Sequence, residues 1–292
     1  MMTLSHLIAA ANTAHPDYYL RLYFGDVPVG LIHRQAPKTL EKYGFYLVSH
    51  ALGVQWRDAS ANCARNSEHL AQITANMRAD SYVTGWRDEL FALSPSYYHA
   101  PQALIERAAM PIFGGCGYGV HINGLVRRKN GLAMWLGQRA PNKPTEPNKW
   151  DQIAAGGLPY GISAFNNMQK ECREEANIPE SLSQTAQSVG MVSYCWQQNN
   201  GIRADVLFLY DLFLPADFEP QNTDGEVAHF ICVPLEEIPE MLREGDVKTN
   251  SALVMLDCCI RHGIITPQMP EYETLCHGLQ MRNHWLSRLK NK

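Results

Sequence analysis

Residues 155–178 read AGGLPYGISAFNNMQKECREEANI and place a glycine-rich loop directly before an acidic segment with helical spacing. Ser163 is a favourable N-cap residue for a helix that starts there. Asn177 tolerates left-handed backbone geometry and precedes Pro179, so the helix is expected to end at residue 176. One apolar stripe is expected to face the core at helical spacing, and it contains Phe165, Met168, Cys172 and Ala176.

Three carboxylates crowd the second half of this helix. Glu171, Glu174 and Glu175 stand at positions i, i+3 and i+4, so they share neighbouring faces. The helix dipole disfavours negative charge at this end, whereas a hard divalent cation prefers carboxylates with room left for water and phosphate oxygens. Lys170 and Arg173 are interleaved with the acids, so spacing alone leaves a solvated helix face as the alternative. The preceding glycines favour a metal or phosphate site, since they let the backbone approach it closely.

Loop, helix and acids together resemble the Nudix box, which reads Gly, five residues, Glu, seven residues, Arg-Glu-apolar-any-Glu-Glu-any-Gly-apolar. Gly156 matches the leading glycine, and the three acids match the later glutamates. Cys172 and Ile178 occupy the two apolar places. The departures are Ile162 for the first Glu, Lys170 for Arg and Asn177 for Gly. Ile162 removes a carboxylate that in many members helps to bind metal or to position water.

The resemblance implies an α+β fold, an α/β/α Nudix sandwich with a mixed sheet, preceded by a small N-terminal α+β domain. The aromatic and β-branched segments 18–24 and 27–33 indicate a hairpin that turns at Gly25-Asp26. Glycines at 114–119 indicate an entry into a strand. We therefore place an accessory domain at residues 1–112 and the Nudix domain, with a C-terminal helical extension, at residues 113–292.

The resemblance also implies roles for individual residues. Mg2+, with Mn2+ as the alternative, is expected on Glu171, Glu174, Glu175, Glu226 and the carbonyl of Ala155. Glu175 or Glu174 is expected to orient or deprotonate the attacking water, and Lys170 to pair with a carboxylate of the cluster. Substrate contacts are expected from Gly156, Gly157, Arg139, Trp135 and Tyr118. For the aromatic residues the alternative is ordinary core packing, and for Arg139, as for Lys143, a solvated surface charge.

Further segments are similar to a Nudix subfamily that carries an extra N-terminal domain and is fused to thiamine pyrophosphokinase in some fungi. They are Trp86-Arg87-Asp88-Glu89, Glu106-Arg107-Ala108-Ala109, 118–124 and 261–266. This resemblance implies hydrolysis of oxidised thiamine diphosphate to the monophosphate, or of oxidised guanine nucleotides. The alternatives are a non-catalytic ligand-sensing module, which Ile162 favours, and an isomerase of the same fold. The N-terminal domain is expected to close over the active site, to build a homodimer or to cover a sheet.

Composition, net charge and the cysteine pattern exclude several classes of protein. The chain has 292 residues, 46% of them hydrophobic, and a formal net charge of −4, which does not predict a nucleic-acid surface. Eight cysteines form no CxxC pair and mostly occupy apolar runs, which is typical of free thiols in a reducing cytosol. No segment approaches the roughly 20 apolar residues of a membrane span, and no signal-peptide core is seen. We therefore expect a cytoplasmic protein, and the Nudix resemblance implies that its partner is a small-molecule diphosphate.

Overall fold

The computed structural model describes residues 3–199 and 201–289. Its N-terminal part is built from two small sheets, one long helix and several short ones. In chain order the elements are α1 (Ser5–Ala11), β1 (Tyr19–Phe24), β2 (Val27–His33), α2 (Pro37–Glu41), β3 (Leu47–His50), β4 (Gly53–Trp56), α3 (Cys63–Ala79), β5 (Leu90–Leu93), β6 (Ala103–Glu106) and α4 (Met110–Phe113).

Four of these strands form one sheet in the order β2-β1-β4-β3. β1 pairs antiparallel with β2 and parallel with β4, and Gly25 has the positive φ that the tight turn between β1 and β2 requires. The predicted hairpin is therefore confirmed. β5 and β6 form a separate antiparallel hairpin. Aromatic residues such as Phe45 and Trp56 fill the core together with the apolar face of α3.

The C-terminal part contains the large sheet and the 13-residue helices that pack on it. In chain order its elements are β7 (Tyr118–Arg128), β8 (Gly131–Arg139), β9 (Trp150–Gln152), β10 (Ala154–Gly157), α5 (Ala164–Ala176), α6 (Glu180–Ser183), β11 (Gln187–Ser193), β12 (Trp196–Gln198), β13 (Gly201–Arg203), β14 (Val206–Leu214), β15 (Val227–Pro234), α7 (Ile238–Glu244), α8 (Thr249–Arg261), α9 (Tyr272–Gly278) and α10 (Met281–Ser287).

The large sheet is mixed and follows the order β11-β14-β7-β8-β15, with β10 added to β7 and β9 added to β8. β14 runs parallel to β7, while β8 pairs antiparallel with both β7 and β15. α5 packs on one face of this sheet through Met168 and Cys172. α8 packs on the other face through residues such as Leu253 and Leu256. The predicted α/β/α arrangement with a mixed sheet is confirmed.

Helix α5 begins and ends as the sequence predicts. The Ser163 side chain accepts a hydrogen bond from the Asn166 N–H, and Asn177 closes the helix in the left-handed region. The predicted apolar stripe is wrong at its first position, because Phe165 is 39% exposed. Asn167 is buried instead, and its amide donates to the Gly157 carbonyl at 2.9 Å. A polar side chain thus fastens the helix to strand β10.

Helix α1 packs with the C-terminal part although it precedes the N-terminal sheet. Its residues Leu7 and Ile8 join the core beneath α8 and α9, and the Trp285 indole donates to the Ala14 carbonyl at 2.9 Å. The two parts are therefore packed together, and the division at residues 112 and 113 stays a prediction. Within residues 3–199 and 201–289, no helix combines the length and apolar character needed to cross a membrane.

Candidate active site

Strand β10 and helix α5 position the first two carboxylates. The Ala155 N–H donates to Glu175 Oε2 at 2.8 Å, which holds Glu175 against the strand. Gly156 lies against the next acid, since a Cβ added there would be 2.2 Å from the carboxyl carbon of Glu171. A glycine is therefore required at this position if the Glu171 carboxylate is to lie beside the backbone.

The loop of residues 221–226 brings further acids to the same place. It is tied to the end of α5, because the Gln221 N–H donates to the Ala176 carbonyl at 3.1 Å and Thr223 Oγ1 donates to the Glu174 carbonyl at 2.5 Å. Carboxylate oxygens of Glu175, Asp224 and Glu226 consequently lie within 4.8 Å of one another. Together with Glu171, these side chains form what we call the acidic cluster.

The pKa values in the acidic cluster follow from burial and from nearby lysines. Burial raises the pKa of Glu171, although the Lys170 ammonium partly offsets this. Burial also raises the pKa of Glu175 well above its usual range, and the Glu171 carboxylate adds to the effect. Burial would raise the pKa of Glu226 as well, but its ion pair with Lys143 lowers it below the usual range. The carboxylates of the acidic cluster are thus held close together at a site that is partly shielded from water.

The residues present fit a hard divalent cation. All donors of the acidic cluster are carboxylate oxygens, which magnesium and manganese prefer, and no thiolate or imidazole belongs to it. Gly156 leaves open the space that a side chain would fill beside Glu171. A bound cation would offset the burial and, secondarily, the Glu171 charge that raise the pKa of Glu175. Glu171, Glu175, Glu226 and Asp224 are the candidate ligands.

Other predicted residues on α5 lie beside this cluster but are engaged differently. Glu174 is 38% exposed and forms ion pairs with Lys170 at 2.9 Å and Arg173 at 3.6 Å. Lys170 also lies 3.3 Å from Glu171, which agrees with its predicted pairing to a carboxylate. Geometry therefore separates Glu174 from the Glu175, Asp224 and Glu226 group. The carbonyl of Ala155 as a ligand stays a prediction, while its N–H lies beside Glu175.

The residues predicted to contact the substrate differ in whether internal contacts already engage their side chains. Arg139 donates to the Thr145 and Glu146 carbonyls and to Asp151 Oδ2, so its guanidinium holds the segment before β9 in place. The Tyr118 ring packs on Phe208 and Tyr97. The structure thus shows internal contacts for both residues and gives no support to their predicted role.

For Trp135 and Gly157, the internal contacts leave the predicted substrate role open. Trp135 packs beside the core under α5, and its buried indole N–H has no hydrogen-bond partner within the described part of the chain. The Gly157 carbonyl is tied to Asn167, and its α-carbon faces Arg107. These two residues keep a substrate contact as an open prediction.

Sequence reasoning did not assign Asp224 a role. The available signal was Asp-Gly-Glu at 224–226, two acids separated by one glycine before a strand. Asp224 Oδ1 accepts the Glu226 N–H at 2.8 Å, and this contact shapes the turn. Glycine at 225 adopts a positive φ that permits the turn.

The comparisons with known proteins agree with this geometry. A model described as the NUDIX domain matches residues 117–253, and one described as a domain of unknown function, DUF4743, matches residues 3–115. Nudix hydrolase 24, chloroplastic, from Arabidopsis thaliana is 37% identical over 262 residues, which cover 86% of this chain and 70% of that protein. The chain belongs to the Nudix hydrolase family. The predicted class, a hydrolase acting on phosphoanhydride bonds, is confirmed, and Nudix enzymes generally use divalent metal ions.

Other similar proteins include Nudix hydrolase 20, chloroplastic, from Arabidopsis thaliana. It is 42% identical over 215 residues, which cover 73% of this chain and 58% of that protein. Among solved structures, the NUDIX domain of Shewanella oneidensis NrtR complexed with ADP ribose superimposes with a TM-score of 0.41 at 15% identity, covering 51% of this chain and 90% of that one. A Caenorhabditis elegans Ap4A hydrolase gives a TM-score of 0.37 at 14% identity, covering 49% and 96%. The relation to thiamine pyrophosphokinase fusions stays a prediction.

Proposed function

We propose that this Nudix protein is a magnesium-dependent pyrophosphohydrolase of a diphosphate-linked small molecule. One observation carries the proposal: strand β10, helix α5 and the loop 221–226 bring Glu171, Glu175, Asp224 and Glu226 to one acidic cluster. A cluster without a cation would be electrostatically unfavourable at neutral pH, whereas a divalent ion that also binds phosphate oxygens relieves the repulsion.

The reaction is an in-line attack of water on phosphorus. The new bond joins the water oxygen to phosphorus, and the bond from that phosphorus to the bridging oxygen breaks, so the leaving phosphate takes the electron pair. A bound divalent ion supplies charge neutralisation of the phosphate oxygens and lowers the pKa of water. Glu171, Glu175 and Glu226 would hold it, with Asp224 as a further ligand. Glu175 orients the water and accepts its proton, since Glu174 pairs with Lys170 and Arg173 instead, and Lys170 also neutralises Glu171.

For the substrate we propose a diphosphate that carries a flat ring, with oxidised thiamine diphosphate as the first candidate and oxidised guanine nucleotides as the second. The ladder between β8 and β15 leads away from Glu226: Phe230 pairs with Gly137, and Cys232 pairs with Trp135. Trp135 and Phe230 both pack on the α5 side of the sheet. An aromatic wall along this ladder, where the buried Trp135 indole N–H has no hydrogen-bond partner among the described residues, suits a heteroaromatic ring that carries an acceptor atom. Thiamine specificity itself rests on the subfamily resemblance.

The test is a phosphate-release screen over intact and oxidised diphosphate metabolites, with and without Mg2+. We expect turnover that requires the metal and that is lost in Glu175→Gln while the folded state is retained. Glu180→Gln, which changes an exposed acid at the start of α6, is the matched control and should keep full activity. If ligands raise the unfolding temperature without any turnover, the ligand-sensing alternative replaces this proposal. Cytoplasmic localisation and a homodimer stay predictions alongside it.

A further inference from the structure

Two arginine-containing segments of the N-terminal part are held side by side by a buried glutamate. Glu106 is 5% exposed, and its Oε1 accepts the Arg87 N–H at 2.9 Å and the Ala108 N–H at 3.1 Å. The Arg107 N–H in turn donates to the Glu89 carbonyl at 2.9 Å. These are the segments 86–89 and 106–109, which the hydrolytic machinery described above does not use.

One of the two arginines touches the glycine-rich strand of the candidate active site. A Cβ added to Gly157 would be 2.7 Å from the central carbon of the Arg107 guanidinium. Arg107 forms an ion pair with Glu89 at 2.8 Å, and its side chain is 33% exposed. A guanidinium has five N–H donors in a fixed fork, so a partly exposed arginine paired to one carboxylate keeps donors for an anion.

The N-terminal part also covers the loop between β10 and α5. The Tyr160 N–H donates to the Leu90 carbonyl at 2.8 Å, and the Ala164 N–H donates to the Tyr97 hydroxyl at 3.1 Å. Gly157 directly follows Gly156, which lies against Glu171. Arg107 therefore lies at the border of the acidic cluster, beside the glycine that follows Gly156.

We propose that Arg107 binds the diphosphate of the substrate, so that the DUF4743 part completes the Nudix active site. This inference rests on the proposed function for the identity of the ligand. The acidic cluster alone repels a diphosphate, and a cation bound there neutralises only the phosphate oxygens that face it. A planar guanidinium on the opposite side of β10's end binds the remaining oxygens in bidentate fashion, which a lysine does less well.

The test measures binding and turnover separately in the full chain. Binding of methylenediphosphonate, a diphosphate whose bridge cannot be hydrolysed, is measured by calorimetry in the presence of Mg2+. We expect Arg107→Ala to weaken this binding roughly 10- to 100-fold and to raise KM by a similar factor, with Arg107→Lys intermediate. Mg2+ binding without the diphosphonate should not change.

Arg57→Ala is the matched control. Arg57 also forms an ion pair with a neighbouring acid, Asp58, at 3.0 Å and lies over an aromatic ring, that of Tyr46, as Arg107 lies over Phe91. It belongs to the N-terminal part, and its guanidinium contacts Asp58 and Tyr46 rather than Gly157. Loss of binding in this control as well would show a general effect of removing positive charge and would overturn the proposal.

The remaining outcomes also decide the question. Unchanged binding and KM in Arg107→Ala would overturn the inference, and so would a wild-type protein that does not bind methylenediphosphonate with Mg2+. If the wild type binds it but hydrolyses no diphosphate, the proposed function fails, while the comparison of Arg107→Ala with the wild type still tests the arginine. Should Arg107→Ala not fold, Gly157→Ala displaces the same guanidinium and must weaken binding by a comparable factor.

Discussion

Replacing Gly156 with alanine should weaken binding of a divalent cation while leaving the fold intact. The new Cβ would stand 2.2 Å from the Glu171 carboxyl carbon and 2.3 Å from one of its oxygens. An ordinary carbon contact needs more than 3 Å, so the carboxylate must move by about 1 Å. Metal ligands tolerate displacements of only about 0.2 Å. We therefore expect a roughly 10- to 100-fold loss of Mg2+ affinity, with a parallel loss of activity at limiting metal.

The assay is a calorimetric or manganese-relaxation titration of the divalent ion, with thermal unfolding as the check on folding. The atom that the new Cβ meets is the far end of a flexible side chain, so the unfolding temperature should fall little. Gly157→Ala serves as the neighbouring comparison, since its Cβ would meet Arg107 rather than an acid, and it should retain metal affinity. Equal metal affinity in Gly156→Ala and the wild type would refute the placement of Glu171 in the metal site.

Three more predictions concern the cluster and the core. Asp224→Asn should weaken Mg2+ binding more than Asp217→Asn does, because Asp224, unlike Asp217, lies with Glu175 and Glu226. A metal titration of both variants measures this, and equal effects would exclude Asp224 as a ligand. Burial, and secondarily Lys248, lowers the pKa of His121 from its usual 6.5 to about 4. The neutral form therefore stabilises the fold fully above pH 6.5. This contribution to the free energy of unfolding, roughly 3 kcal/mol, is lost as the pH falls through 4. Urea unfolding should show that difference between the wild type and His121→Gln, and a flat difference from pH 7.5 to 4 would contradict it. Arg261→Ala leaves the buried Asp211 without the arginine that lies 2.6 Å away and should lower the free energy of unfolding by roughly 3 kcal/mol. Arg243→Ala breaks a surface pair and should lower it by about 0.5 kcal/mol. Equal losses in chemical denaturation would contradict a larger contribution of the buried pair.

The pH prediction requires the variant comparison because other groups titrate in the same range with the opposite sign. Burial raises the pKa of Glu175 in the folded state, so protonation there favours folding as the pH falls, while the buried neutral His121 does the reverse. Subtracting the His121→Gln curve cancels the contribution of the carboxylate. Glutamine at 121 can donate to Gln152 Oε1 as the histidine ring does in the folded protein, so no buried acceptor is left unpaired.

Local patterns were sufficient to predict the helix and its caps. Ser163 and Asn177 act through backbone geometry within a few residues, and both do what their side chains predict. Glu171 and Glu175 also follow from the helical period, because their positions on one face do not depend on the rest of the chain. Phe165 was mispredicted because hydrophobicity alone does not reveal that Asn167 can be buried if it binds a strand carbonyl.

Long-range contacts could not be predicted in the same way. Glu174 has the same spacing as its neighbours, yet its ion pairs with Lys170 and Arg173 turn it towards solvent. Asp224 joins the acidic cluster only because a loop 50 residues later in the chain hydrogen-bonds to the end of α5. The contact between Arg107 and Gly157 depends on how two segments about 50 residues apart in the chain pack together, and the periodicity of the sequence does not reveal such a contact.

Because the loop 221–226 is hydrogen-bonded to α5, the length of chain that precedes the loop does not set the geometry of the acidic cluster. Gln221 and Thr223 bind the carbonyls of Ala176 and Glu174, so Asp224 and Glu226 take their positions from the helix end rather than from the chain that leads up to them. Residues 215–217 lie upstream of both anchoring points. Lengthening the connection there leaves the spacing between the metal-facing oxygens untouched, whereas a single deletion between 221 and 226 shifts half of them out of reach.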